Sequence, residues 1–321
     1  MVPKTAHQPA SRAFWVLLLL ALGAFAVSFW VGELSWREVD LSTLWSLRGA
    51  RALLAFGVGS SLAVAGMLLQ ALFSNPLCEP YTLGVSSGAA CGAVISGALG
   101  ASASASLFEG AALGPLLGAA VFSLPLVLAK TRGPALLLMG VLLGFFGSSL
   151  VALVMAVSDS RGVGQALVWL LGDLSRATTA GAITAVVLSL TLTLLIRRRH
   201  SELDILLMGE RQARSIGVPV DELSRQVLVV SSILVALGVS FAGMIGFVGL
   251  MVPHAVRRWQ GAAHWRALPV CWMLGGIVLV VADALGRTVF SPREIPIGVV
   301  TALLGVPLYG FWTLKRAQVH A

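Results

Sequence analysis

The chain has 321 residues, of which 57% are hydrophobic and 11% charged, and its 22 Lys and Arg against 14 Asp and Glu give a formal net charge of +8. At a mean hydropathy of +0.91 it lacks the polar side chains to cover a water-soluble surface, since soluble domains carry about 25% charged residues. This excludes a disordered chain and a soluble nucleic-acid-binding domain, and the basic residues fall between long apolar runs, as in a membrane protein.

A membrane span takes about 20 apolar residues, and ten segments qualify in chain order. The first, 13–31, follows Lys4 and Arg12 and is longer than the core of a cleaved signal peptide, so a retained helix is expected. Further runs lie at 52–73, 81–99, 107–129, 135–157, 177–196 and 226–242. A short one follows at 245–256, and 268–285 and 297–314 close the series. With the N-terminus inside and alternating spans, only Arg37, Arg48, Arg51, Arg161, Arg176, Arg287 and Arg293 fall outside, and the other basic residues fall inside. If 245–256 did not cross, Arg257, Arg258, Lys315 and Arg316 would move outside, so a crossing is expected. The glycines inside these runs, such as Gly57, Gly59, Gly140, Gly144 and Gly147, suit close helix packing.

One charge, Asp283, falls inside an apolar run. It precedes Arg287 by four residues, a spacing that places both on one helix face, and a local ion pair is expected rather than a proton relay. No G-x-x-x-x-G-K-[ST] occurs, so the chain has no P-loop of its own. Gly84-Val85-Ser86-Ser87-Gly88 matches the hydrolase pattern G-x-S-x-G. It opens a membrane helix with no acid–histidine pair in view beyond a formal role for His254, so small-residue packing is the expected reading. His7, His200, His254, His264 and His320 show no ligand spacing, and Cys78, Cys91 and Cys271 are too scattered for a disulfide framework or a C-x-x-C site.

The longest polar stretch, 197–225, is expected on the inner side. Leu203, Leu206 and Leu207, then Glu210, Arg211 and Arg214, suggest short amphipathic helices, with turns at Gly209 and Gly217-Val218-Pro219. It reads either as a headgroup-binding loop or as a docking surface for a cytoplasmic partner, and its retained apolar residues favour docking.

Four stretches resemble one family. Leu69-Gln70-Ala71-Leu72-Phe73-Ser74-Asn75-Pro76-Leu77 with Glu79-Pro80 and 83–89 is similar to the iron-chelate and vitamin B12 family of ABC importer permeases. So are 245–254 and 294–307, and 208–218 looks like the family's cytoplasmic coupling segment. The resemblance implies an all-α polytopic permease of the type II importer fold, one domain over 1–321 with about ten spans and a coupling segment near 202–219. It implies a multi-pass protein of the bacterial inner membrane with both termini cytoplasmic, surrounded by lipid and binding no nucleic acid. It also implies a homodimer with the path on its two-fold axis, two separate ABC ATPase subunits that hold ATP and Mg²⁺, and a periplasmic or lipid-anchored substrate-binding protein. The permease itself would be no enzyme and bind no cofactor or metal. By position, Asn75 and Leu77 match the inner gate, and Gly133 and Pro134 match a second gate where the family often has small hydroxyl residues. Leu206, Gly209, Glu210, Arg214 and Gly217 match the ATPase coupling segment, and Arg48, Arg51 and Arg287 match residues that receive acids of the binding protein. The implied cargo is a ferric siderophore or haem, with cobalamin as the alternative. A secondary transporter would need an intramembrane ion site, for which Asp283 alone is a poor candidate.

Overall fold

In hydrocarbon a chain must satisfy its own backbone polar groups, and apolar runs of this length do so as α-helices. The computed structural model describes residues 10–30, 40–98, 113–129, 133–157, 167–291 and 293–317. Lys4, Arg37, Lys130, Arg132 and Arg161 of the charge count, together with His7 and His320, lie outside the described residues.

Among the described residues there are ten helices of 13 residues or more, one for each apolar run, and no strand. They are α1 (Ala10–Trp30), α2 (Ala50–Leu72), α3 (Val85–Ala98), α4 (Leu113–Leu128), α5 (Pro134–Val157), α6 (Thr179–Arg197), α7 (Val220–Ala242), α8 (Val248–Gln260), α9 (His264–Thr288) and α10 (Ile297–Ala317). A π-helical turn, Trp45–Gly49, leads into α2 and makes Ser42–Leu72 one continuous rod. Short helices at His200–Leu206 and Glu210–Ser215 occupy the polar stretch.

The hub is α2, almost wholly buried and packed against α6, α7, α8 and α9. Glycine permits this. A Cβ on Gly59 would fall 2.3 Å from the Gly275 carbonyl of α9, and one on Gly66 would fall 1.9 Å from the Gly249 carbonyl of α8. Dispersion between closely approaching backbones is what holds helices together in lipid, where apolar burial gives no net gain. The rim is the reverse. Leu138, Leu142, Phe145 and Phe146 of α5 and Leu303, Val306 and Phe311 of α10 are more than half exposed, a surface that requires lipid or another apolar chain. The G-x-S-x-G stretch is packing: Ser86 is buried, Gly84 abuts Gly140 and Gly144 of α5, and Gly88 abuts Gly118 and Phe122 of α4.

The eighth segment differs from its expected bounds. Its helix starts at Val248, and its 13 residues reach about 20 Å, short of the roughly 30 Å hydrocarbon core. It runs beside α2 in the same direction, with Gly249 against Gly66 and Arg257 donating to Gln70. Residues 243–247 therefore form a break at membrane depth, roughly 10 Å from the end of α2.

Candidate gate, coupling segment and outer arginine cluster

The turn after α2 carries the expected inner-gate residues. Asn75 accepts the Leu77 N–H on its side-chain Oδ1 at 2.9 Å, and its own N–H donates to Gln70 O at 3.1 Å. Asn75 thus shapes the turn as an Asx cap and is half-buried, while Leu77 projects outward at 60% exposure. Gly133 and Pro134 lie elsewhere, at the start of α5. Gly133 has φ +61°, its carbonyl accepts from Leu136 and Leu137, and Pro134 takes the first helical position, where its missing N–H costs nothing.

The turn of Ser74–Leu77, the candidate inner gate, is tied at both ends. At its start, Ser74 Oγ donates to Leu206 O at 3.3 Å, joining it to the polar stretch. At its far end, Tyr81 Oη donates to Ile245 O at 2.9 Å and accepts from Ile245 N at 2.7 Å, and Glu79 Oε1 accepts from Phe247 N at 2.8 Å. These two side chains partner the N–H and C=O of Ile245 and the N–H of Phe247, non-helical backbone groups that hydrocarbon would leave unsatisfied. Among the described residues, the non-glycine positions with positive φ are Ser74 (47°) and Phe247 (68°), one at each end of this linkage. Such conformations cost of order 1–3 kcal/mol and persist only where neighbours enforce them. Here Glu79 enforces one of them, and Gly305 leaves room for the Phe247 ring.

The polar stretch presents a buried base and an exposed crest. Leu203, Leu206 and Ala213 are buried, while Met208, Ile216, Arg211 and Arg214 face out and Glu210 is half-buried. Gly209 (φ +105°) and Gly217 (φ +91°) turn the chain at either end of the Glu210–Ser215 helix. Arg214 forks onto Asp221 at 2.8 and 3.1 Å, and Arg199 bridges Glu202 and Glu222. Asp204 Oδ1 accepts from both the backbone N–H (2.8 Å) and the ring Nδ1 (2.6 Å) of His264 and so fastens the stretch to the start of α9. Burial alone would raise the Asp204 pKa, but the His264 hydrogen bonds hold it below the usual carboxylate value.

The three arginines expected on the outer side form one cluster, and its hydrogen bonds run to acceptors within the protein. Asp283, 1% exposed at its side chain, receives Arg51 Nε on Oδ1 at 2.9 Å and Arg287 Nε on Oδ2 at 3.0 Å. The expected local pair with Arg287 is present, and Arg51 completes it from α2. Arg287 also donates to Ser28 O (3.1 Å) and Oγ (2.7 Å), and Arg48 donates to Phe29 O at 3.3 Å. Arg51 reaches Glu294 with Nη1 at 2.9 and 3.3 Å. Arg48 is buried and Arg51 and Arg287 are half-buried, because each guanidinium has a protein acceptor to replace water.

Glu79, Tyr81, Ser74 and Asp204 are functional candidates that pattern reading passes over. Glu79 stood inside a recognised motif, yet its partner Phe247 is 168 residues away, and no local spacing shows such a contact.

The FecCD transport family model matches residues 13–315. The chain is 39% identical over 314 residues to the cobalamin import system permease protein of Halobacterium salinarum, covering 96% of this chain and 81% of that one. It is 33% identical over 318 residues to the hemin transport system permease protein of Yersinia pestis, covering 94% of each. Among solved structures it superimposes on an inward-facing conformation of a metal-chelate type ABC transporter, with TM-score 0.87, 30% identity, and coverage of 96% of this chain and all of that one.

Proposed function

The chain belongs to the FecCD transport family and is a permease of the ABC importer class, and from that premise we propose that two copies form one translocation path for a large metal chelate. In this reading a separate ATPase pair binds and hydrolyses Mg-ATP, and a substrate-binding protein delivers the cargo at the opposite face. Both termini lie in the cytoplasm of a cell whose inner membrane the protein spans. The cargo class takes in ferric siderophores, haem and cobalamin. The relatives at 33% and 39% identity bear hemin and cobalamin names respectively, so their names favour the class over one member.

The observation that carries the mechanism is the double attachment of the gate turn. ATPase closure would press on Met208, Ile216 and Arg214, the exposed crest of the coupling segment. Displacement of Leu206 would reach Ser74 through their hydrogen bond and shift the Asn75–Leu77 turn. The far end of that turn would move with the α7–α8 break through Glu79 and Tyr81. The path would then open to one side at a time as a population shift, biased by nucleotide and by the docked binding protein. Broken helices with irregular backbone lining a membrane cavity recur in transporters for this purpose. No tight cargo site is required, because a path must also release what it carries.

The test is intersubunit cross-linking. In a background lacking Cys78, Cys91 and Cys271, Leu77→Cys leaves the Asx cap intact, and Asn75→Cys probes the cap itself. Cross-links between two copies in one nucleotide state and fewer in another are expected. Absence of cross-links at both positions in every state would remove this turn from the gate.

A further inference from the structure

Arg51 stands between two carboxylates of different character. Asp283 is enclosed, and its second oxygen is taken by Arg287. Glu294 is 50% exposed at its side chain, precedes α10, and accepts from the single Arg51 Nη1 on both of its oxygens. Its backbone neighbours are pinned independently: Ile295 N donates to Gly286 O at 2.9 Å, Ile297 N to Gly172 O at 3.3 Å, and Gly298 N to Leu171 O at 3.0 Å. The Glu294 side chain can therefore leave Arg51 without unravelling the entry to α10.

We propose that Glu294 is a built-in stand-in for an acidic side chain of the docking partner, and that docking proceeds by exchange. This rests on the reading that Arg48, Arg51 and Arg287 form the binding-protein face. The partner's carboxylate would take the Arg51 Nη1 edge from Glu294, while Asp283 stays in place and keeps the guanidinium oriented. The choice of which acid yields follows from exposure. A half-exposed carboxylate regains water when released and binds weakly, whereas an enclosed one shared by two arginines does not. Until a partner arrives, Glu294 covers the Arg51 Nη1 donor, which would otherwise attract any anion, and it makes docking weaker and more readily reversed. The occupant is thus a protein surface bearing an exposed Asp or Glu, and salt should weaken its encounter.

The experiment measures association of the importer's own substrate-binding protein with the complete permease–ATPase complex in lipid nanodiscs, at about 50 mM and 500 mM salt. Glu294→Gln is isosteric and half-exposed, and it removes the competing charge. It should raise affinity by roughly three- to tenfold at low salt, with most of the gain gone at high salt. Arg51→Gln should weaken binding, and adding Glu294→Gln to it should restore little, because the stand-in acts through Arg51. A Glu294→Gln complex that binds no better than wild type, with Arg51→Gln still weakened, overturns the exchange and leaves the docking face intact. A full gain persisting in the Arg51→Gln background also overturns it, since Glu294 would then act by general repulsion. Unchanged binding in Arg51→Gln itself contradicts the docking reading instead. Should Arg51→Gln fail to fold, Arg51→Lys takes its place in the double variant, and a Glu294→Gln complex that binds no better than wild type overturns the exchange by itself.

Discussion

Asp283→Ala removes at one stroke the counter-charge of two enclosed guanidinium groups. The pairs measure 2.9 and 3.0 Å, the acid side chain is 1% exposed, and the Arg51 and Arg287 side chains are 15% and 8% exposed. Water cannot replace the lost carboxylate, and breaking a buried pair from one side costs about 3–5 kcal/mol. Arg51 keeps Glu294, and Arg287 keeps the Ser28 carbonyl and hydroxyl. The lower end, about 3 kcal/mol, is therefore expected. Asp283→Asn should cost less, because its amide oxygen still accepts from one arginine. Glu294→Gln should cost at most about 1 kcal/mol, as its pair is half in water. Denaturant unfolding of the detergent-purified protein measures all three, in the order Asp283→Ala, Asp283→Asn, Glu294→Gln. An Asp283→Ala protein within about 1 kcal/mol of wild type would refute the view that this cluster is an enclosed structural lock.

Charge reversal on the coupling crest, Arg214→Glu or Glu210→Lys, should leave the unfolding midpoint nearly unchanged and uncouple ATP hydrolysis from uptake in the reconstituted importer; unaltered ATPase binding and uptake would remove this segment from the interface. Glu79→Ala strands the Phe247 N–H and Tyr81→Phe strands both polar groups of Ile245, at about 1–3 kcal/mol per buried group. Both should shift the nucleotide dependence of the Leu77→Cys cross-link, with Glu79→Gln, which keeps an acceptor, closer to wild type; equal loss of folding without a shift in cross-linking would make them structural only. Asp204 has a lowered pKa in the fold, so its contribution is present above the ordinary Asp value of about 3.9 and is lost as pH falls through the lower folded value. Stability measured from pH 6 to 3 should therefore decline at the acid end, and Asp204→Asn should flatten that decline.

The helices were legible because hydrocarbon imposes a period and a length, so each of the ten apolar runs contains one helix. The eighth was only partly so. Gly246 and the short apolar run marked something unusual, but the break at 243–247 is held by Tyr81 and Glu79, which belong to a different segment. Charge counting assigns Arg48, Arg51 and Arg287 to one side as an expectation, yet it registers position alone. Whether an arginine faces water or a buried acid depends on contacts such as Arg51–Asp283, 232 residues apart. Asn75 illustrates the same limit. Its Asx turn follows from the Ser-Asn-Pro sequence, while the bond from Ser74 to Leu206, which ties the turn to the polar stretch, spans 132 residues.

The most direct measurement of the central claim is uptake of labelled cargo by proteoliposomes containing this permease, with haem, a ferric siderophore and cobalamin supplied in parallel. The account predicts accumulation of at least one of these chelates only when the ATPase subunits, ATP and the substrate-binding protein are all present, and no accumulation by the permease alone under a proton or sodium gradient. Gradient-driven uptake by the permease alone, without ATP, would contradict it.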